Sequence, residues 1–332
     1  MSMFKKMAVM VGIGLLSGVS VASASPTNCP QFYVDGQAPD IINPKVANDT
    51  VELCHTGYST RYSGVVFAPL YSADILTREH VEEGRGGGRH GSFHVENSLP
   101  YNMQLSPRDY QNVNGSFYDR GHMVPNGDMW TPYLQEETFS MSNMIVQDAD
   151  NNEGLHEGIE VAVRNLAVQN GQIATVTGPI FYGNELKRLN GKAFIPTMIY
   201  KAVYIPGVGA SAYVENNMPG MNYSVVSINT LTQLIGIDVF PSMPSNVKDM
   251  VIDLPVPTPS FHGGSREARQ LGIREGSPEL VNLQELINIG TSYSMNNYQN
   301  TGNQYMNNNR YSNHSLLHET GREMLHSFFK HW

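Results

Sequence analysis

The sequence predicts an α+β fold with a mainly antiparallel central sheet flanked by helices. Segments rich in β-branched and aromatic residues are typical of strands, and they occupy 173–177, 193–205, 210–214 and 223–226. Residues 152–168 have the apolar spacing of an amphipathic helix, and 228–235 are predicted as a short helix. Because strands and helices do not alternate regularly, antiparallel pairing is favoured over parallel βαβ units.

Three other segments have a weaker local pattern. The short apolar run at 65–68 is predicted as a further strand. Residues 25–60 are rich in Pro, Asn and Asp and are predicted to form loops. The glycine-rich segment 83–91 contains Arg89 but lacks the spacing of a phosphate-binding loop, so a mobile surface loop is the simpler interpretation.

Residues 1–24 have the pattern of a secretory signal peptide. Lys5 and Lys6 precede an apolar run that ends in Ala-Ser-Ala at positions 22–24, the small-residue pattern of a cleavage site. The alternative, a membrane anchor, is disfavoured because the run is short and is broken by glycine and serine. We therefore expect a secreted or periplasmic protein with no membrane span in its mature chain.

The only two cysteines, Cys29 and Cys54, lie close to the expected mature N-terminus. In an exported protein this arrangement predicts one disulfide. Two unrelated buried thiols are the alternative.

The formal net charge of the chain is −9. This charge argues against a protein that coats nucleic acid, because such binding is dominated by contacts between basic side chains and phosphates. It does not exclude an enzyme with a locally basic cleft, since the local field steers an anionic substrate.

The composition divides the chain into one main domain and a C-terminal region of different character. We expect the domain to span 25–260, followed by an extension over 261–290 that contains a short helix. Residues 291–313 hold eight asparagines and four tyrosines with almost no aliphatic side chains, which predicts a disordered linker. Residues 314–332 then regain the spacing of an amphipathic helix, which would dock on the domain, on a partner or on a membrane surface.

An imidazole, a guanidinium group and a carboxylate lie close together in sequence at residues 118–123. Here His122 follows Asp119 and Arg120. A neutral imidazole accepts a proton near neutral pH, so His122 is a candidate general base. Asp119 is predicted to orient a neighbour or a metal-bound water.

A second group lies thirty residues later, at the predicted start of the helix 152–168. The amide oxygen of Asn152 suits Mg²⁺, which keeps much of its water shell. The alternative is that Asn152 caps the helix, although Asp150 or Asn151 could take that role. Glu160 falls on the same helix face and would hold a metal-bound water or fix an arginine, unless it is an exposed carboxylate.

These residues form part of a longer ordered set. It comprises Asp119-Arg120-Gly121-His122, Thr138-Phe139, Ser142-Asn143, Gln147, Asn152, Gly154 and Glu160. The set resembles the DNA/RNA non-specific endonuclease family, and weaker likeness, including Arg89 and Phe93, extends from about Cys29 to about Val251. The chain departs from the family at His156, where a tryptophan is usual, and at Ile145-Val146, where a segment with proline is usual.

The resemblance implies a ββα-metal active site for the hydrolysis of DNA and RNA. It implies that His122 is the general base and that Asn152 is the ligand of Mg²⁺, with Mn²⁺ as an alternative ion. Arg120 and Arg89 would neutralise the phosphate. The family also implies that Asn143 supports the site and that Glu160 acts through water on the metal.

Other functions and assemblies are left open by the sequence. A phosphodiesterase for nucleotides or small phosphate esters would use the same groups. A catalytically inactive exported binding module is the alternative from a different class, prompted by the segment 291–313. A homodimer is an open expectation for the oligomeric state.

Overall fold

The computed structural model describes residues 26–44, 46–110, 118–183 and 186–258. The predicted signal peptide, the extension 261–290, the linker 291–313 and the helix 314–332 lie outside the described residues. Within the described ranges, no helix is long and apolar enough to cross a membrane.

The strands are numbered in chain order. They are β1 Asp40–Ile41, β2 Thr50–Cys54, β3 Ser59–Ser63, β4 Ala68–Thr77, β5 Tyr118–His122, β6 Met144–Asp148, β7 Gln172–Ile180, β8 Arg188–Leu189, β9 Ala193–Phe194, β10 Met198–Ile205, β11 Gly209–Asn216, β12 Tyr223–Val226 and β13 Ile237–Asp238. Seven of them form one antiparallel sheet in the order β12-β11-β10-β7-β4-β3-β2. The predicted α+β class with an antiparallel sheet is therefore confirmed.

The α-helices lie between these strands. They are α1 Arg78–Gly84, α2 Pro132–Thr138, α3 Ala149–Asn151, α4 Glu157–Asn170, α5 Ile228–Ile235 and α6 Ser245–Lys248. A π-helical turn, Asn152–His156, joins α3 to α4 and makes the three segments continuous.

The two faces of the sheet bury different cores. Leu155, Ile159 and Val163 pack from the π turn and α4 against Ile173 and Val203 of the sheet. The opposite face packs against α5 and the N-terminal segment in a larger apolar cluster. This arrangement fixes the long helix firmly on one face, because its apolar stripe is buried along its length.

A two-stranded hairpin outside the main sheet leads into that helix. Strands β5 and β6 pair antiparallel, with His122 opposite Met144 and Asp119 opposite Gln147. The chain then passes directly from β6 into α3, where the Asp148 side chain accepts a hydrogen bond from the Asn151 backbone N–H at 3.0 Å and caps the helix. The result is a ββα unit.

Most of the elements predicted between residues 173 and 235 are confirmed. Residues 223–226 and 228–235 coincide with β12 and α5, and 173–177 and 210–214 lie inside β7 and β11. The predicted strand 193–205 is wrong as a single element, since Pro196 stands in the break between β9 and β10. Proline cannot donate to a strand ladder, which accounts for the break.

Three other predictions are corrected. Residues 65–67 form the turn between β3 and β4 instead of a strand, with Phe67 at a φ of 53°. The region 25–60 is not all loop, because it contains β2 and the start of β3. The helix predicted over 152–168 begins earlier, at Ala149, and ends at Asn170.

The predicted disulfide joins Cys29 to Cys54 across 25 positions of sequence. It attaches the N-terminal segment to the end of the edge strand β2. Glu52 of the same strand accepts hydrogen bonds from the Thr27 hydroxyl at 2.7 Å and from the Asn28 backbone N–H at 2.9 Å. The covalent bond thus holds a segment that also has polar contacts with the sheet.

Removing the disulfide should destabilise the domain. The Cys29→Ser/Cys54→Ser variant is expected to lose about 3 kcal/mol of unfolding free energy, because the cross-link restricts the unfolded chain. Urea unfolding with and without dithiothreitol measures this. The reductant should lower the stability of the wild type and leave the variant unchanged; equal stability of the oxidised wild type and the variant would contradict the prediction.

Candidate active site

His122 ends β5 and lies between two phenylalanine rings. Its ring meets Phe139 edge-on, with centroids 5.0 Å apart, and lies tilted on Phe93 at 5.8 Å. The side chain is only 8% exposed, and its Nε2 has no hydrogen-bond partner among the described residues. A buried nitrogen in this state is uncommon and favours a ligand or water at that position.

Burial also sets the protonation state of this imidazole. Removal from water, together with the positive charges of Arg89, His156 and Arg120, lowers the pKa of His122 to about 3. Both effects disfavour the charged ring. The ring is therefore neutral near neutral pH and able to accept a proton.

Two guanidinium groups flank the aromatic pair. Arg89 Cζ lies 5.0 Å from the centroid of Phe139, and Arg120 Cζ lies 4.1 Å from that of Phe93. Arg120 Nε is buried without a hydrogen-bond partner in the part of the chain that the structure describes. The arrangement gathers His122, Arg89 and Arg120 around one small region that suits an anion.

Asn152 lies one turn inside the helix, on the π turn. Its backbone is helical, with φ −58° and ψ −48°, and Asp148 provides the cap. The alternative that Asn152 caps the helix is therefore wrong, and neither Asp150 nor Asn151 takes that role. π turns are rare and occur often at functional sites.

The amide of Asn152 is oriented by the hairpin. Its Nδ2 donates a hydrogen bond to Asp119 Oδ2 at 3.1 Å. Since the nitrogen is used, the oxygen Oδ1 is the amide atom available to a cation. Asp119 thus links the strand that ends in His122 to the helix that carries Asn152.

Asn143 is a buried residue that supports the backbone next to the site. Its side chain is fully buried, with Oδ1 accepting from the Val124 backbone N–H at 3.0 Å. Its Nδ2 donates to the carbonyls of Val124 at 2.9 Å and Thr138 at 3.0 Å. All its amide atoms bind backbone, so Asn143 fixes the chain that follows His122.

Glu160 is held by two neighbours on its own helix. Its carboxylate lies 3.5 Å from His156 Nε2 and 3.9 Å from Arg164 Nη1. Arg164 in turn donates to Asp128 Oδ1 at 2.8 Å. The side chain of Glu160 is 15% exposed, which excludes the interpretation as a free surface carboxylate.

The sequence reasoning missed Arg164 and Asp128. A signal for Arg164 was available, because it continues the four-residue spacing of Asn152, His156 and Glu160 along one helix face. Asp128 had no such signal, since it comes from the turn before α2.

The glycine of the Asp-Arg-Gly-His run is required by packing. A Cβ at Gly121 would stand 1.8 Å from Gln147 Oε1 and 2.6 Å from its Cβ. Gln147 of the paired strand therefore lies directly over Gly121. A larger residue there would displace the strand that carries His122.

No conventional cluster of metal-binding side chains competes with this site among the described residues. One group of three His, Cys, Asp or Glu ligand atoms lies within 4.8 Å, namely Cys29, Glu52 and Cys54, and its two sulfurs form the disulfide. A cation held by one amide oxygen and water needs no such cluster, and Mg²⁺ is commonly bound in that way. The donor at Asn152 therefore fits a hydrated hard cation.

The neutral, buried state of His122 predicts a change in acid stability. The ordinary pKa of histidine is about 6.5, so above that pH the ring is neutral in both folded and unfolded chains. Below it only the unfolded chain takes up the proton, and the stability of the fold falls with pH down to the folded pKa of about 3.

The variant His122→Gln removes this group. Between pH 7 and pH 5 the wild type should lose about 2 kcal/mol more unfolding free energy than the variant, because a proton taken up on unfolding is worth about 1.4 kcal/mol per pH unit. Urea unfolding at both pH values measures the difference. Parallel losses would show that the ring is not buried in its neutral form.

Comparison with known proteins indicates the family of the chain. The model of the family described as DNA/RNA non-specific endonuclease matches residues 38–246, more than half of the chain. The mitochondrial nuclease 1 of Schizosaccharomyces pombe is 25% identical over 254 residues, covering 69% of this chain and 75% of that protein. A nuclease of Serratia marcescens is 27% identical over 231 residues, covering 63% and 86%.

A nuclease of Nostoc is 30% identical over 181 residues, which cover 49% of this chain and 64% of that protein. The chain thus spans less than two thirds of this relative. A solved structure of the EndoG/EndoGI complex has a similar fold, with a TM-score of 0.54 and 22% identity over 59% of this chain and 88% of that one. With the match over residues 38–246, these likenesses show that the chain belongs to the DNA/RNA non-specific endonuclease family.

Proposed function

We propose that this chain is an exported, Mg²⁺-dependent endonuclease that cleaves both DNA and RNA without strong sequence preference. The observation that carries the proposal is the position of His122. Its neutral ring has a free Nε2, two arginines flank its aromatic neighbours, and the adjacent Asp119 orients the amide of Asn152. The domain that holds this site is proposed to span 25–260.

His122 would act as the general base. The oxygen of a water molecule attacks phosphorus while its proton passes to Nε2 of the neutral ring. The bond to the 3′ oxygen breaks and that oxygen takes a proton from solvent water, which leaves a 5′-phosphate on one product and a 3′-hydroxyl on the other. The buried position of His122 keeps the ring unprotonated and ready for this step.

The arginines would stabilise the phosphate as its charge increases. Arg89 and Arg120 lie over Phe139 and Phe93, which keeps both guanidinium groups close to His122. Preorganised positive charge of this kind lowers the barrier because it needs no rearrangement during reaction. Contacts to phosphate carry little base information, which would explain cleavage of DNA and RNA alike.

Asn152 would hold the cation through Oδ1, with Asp119 fixing the amide. When bound there, Mg²⁺ would supply Lewis-acid chemistry at the phosphate. Glu160 lies two turns further along the same helix face, where its carboxylate can accept hydrogen bonds from water.

Export is supported by two features. Residues 1–24 have the signal-peptide pattern, and the disulfide between Cys29 and Cys54 suits an oxidising compartment. A protein secreted or held in the periplasm would meet both conditions.

The general base is tested by plasmid cleavage. The variant His122→Ala should lose about 10²- to 10⁴-fold in kcat, the usual contribution of a general base, while its circular dichroism stays that of the wild type. His80→Ala is the matched control, because His80 stacks on Trp130 and not on the rings that surround His122. Full activity of a folded His122→Ala chain would refute the assignment.

The cation is tested on the same substrate. Cleavage should stop in EDTA and return with Mg²⁺ or Mn²⁺, and Asn152→Ala should need much more metal or lose activity. Asn229→Ala on α5 provides the control for loss of an asparagine. Undiminished cleavage in EDTA would contradict the metal role.

A further inference from the structure

Beneath the candidate site, a buried row of polar side chains connects the hairpin to the helix. His156 is 1% exposed, and its Nδ1 bonds to Glu215 Oε1 of β11. Its other nitrogen, Nε2, lies 3.5 Å from Glu160 Oε1. His156 therefore stands between two carboxylates, one from the sheet and one from the helix.

The row continues from Glu215 towards the hairpin. Glu215 Oε2 accepts a hydrogen bond from Asn151 Nδ2 at 3.0 Å. Asn151 Oδ1 accepts from Gln147 Nε2 at 2.7 Å, and Gln147 is the residue that packs over Gly121. Both carboxylate oxygens of Glu215 and both amide atoms of Asn151 are thus occupied.

The carboxylates of this row favour the protonated form of His156. Burial alone would lower the pKa of His156, but the attraction of Glu215 and its hydrogen bond outweigh that effect and raise it. A charged imidazole between carboxylates is the arrangement that makes the burial of Glu215 and Glu160 tolerable. The row therefore contains a buried ion pair between His156 and Glu215.

The row adjoins the two groups expected to interact with the cation and its water. Asn151 directly precedes Asn152, and His156 contacts Glu160. We propose that the Glu215–His156 pair is a positioning device that fixes Asn152 and Glu160 relative to His122. This inference rests on the proposed function of those three residues, and it assigns a role to Glu215 and His156, which lie outside the set of residues that would touch substrate.

The variant Glu215→Gln tests the positioning role of the Glu215–His156 pair. A glutamine presents one oxygen and one NH₂ group, so it cannot accept from both His156 and Asn151 as the carboxylate does. Either one link breaks, or a neutral His156 ring accepts from the glutamine NH₂ group; the ion pair is lost in both cases, while the size of the side chain is unchanged. The double variant Glu215→Gln/His156→Gln removes both charges and so avoids leaving one of them buried alone.

Lys248→Met is the matched control. Lys248 is buried and forms an ion pair with Asp238 at 2.5 Å, on elements distant in sequence from the hairpin and the long helix. It reports what the loss of a buried ion pair does to the protein as a whole. Melting temperature, kcat and KM on plasmid at saturating Mg²⁺, and Mn²⁺ affinity by electron paramagnetic resonance are measured for every full-length variant.

We expect kcat to fall by about 10- to 100-fold in Glu215→Gln and in the double variant, and Mn²⁺ affinity to fall in both. This is the usual effect of losing a supporting partner of a metal site. KM should stay within about twofold, since no substrate contact is removed. The double variant should lose no more kcat than Glu215→Gln, because the pair acts as one unit. Lys248→Met should lower the melting temperature and change neither kcat nor Mn²⁺ affinity.

Three results would overturn the inference. One is a folded Glu215→Gln chain with the kcat and Mn²⁺ affinity of the wild type. Another is a loss in Lys248→Met as large as that in Glu215→Gln, and the third is a double variant that loses clearly more kcat than Glu215→Gln. If the wild type cleaves no nucleic acid, the proposed function fails, and the Mn²⁺ affinity of the variants alone decides the positioning role. If the wild type binds no Mn²⁺, both the proposed function and the positioning role are overturned.

Discussion

The structure of the site depends on one constraint, the antiparallel pairing of β5 with β6 and the passage of β6 without a loop into the helix. The pairing places Asp119 opposite Gln147 and His122 opposite Met144. The continuous chain then brings Asn152 back to Asp119, where a hydrogen bond of 3.1 Å closes the unit. An imidazole and an amide that are thirty residues apart in sequence are thereby fixed by local geometry.

The surroundings of the two histidines are opposite in charge. His122 is packed between phenyl rings with arginines nearby, which keeps it neutral. His156, one turn after Asn152, lies between Glu215 and Glu160, whose negative charges raise its pKa against the effect of burial. Burial raises the energetic cost of a charge at both positions, and the neighbouring charges shift the pKa of the two rings in opposite directions. The same residue type therefore meets two opposite electrostatic environments within one site.

Local features of the site could be predicted from the sequence, because they depend on spacing along one helix or strand. The stripe of Asn152, His156 and Glu160 is such a feature, and Arg164 follows the same spacing. Glu215 could not be found in this way, since its contact with His156 depends on the register of β11 in the sheet. The apolar run at 65–68 did not identify a strand, because a turn buries Val66 fully as well as a strand would.

Paramagnetic Mn²⁺ tests directly whether His122 and Asn152 serve one site. Nuclear magnetic resonance signals of the imidazole rings are followed during a titration with Mn²⁺, with His122→Gln used for assignment. We predict that the His122 signals broaden first and that Asn152→Ala abolishes the broadening. Sharp His122 signals at saturating Mn²⁺, or broadening that persists in Asn152→Ala, would contradict it.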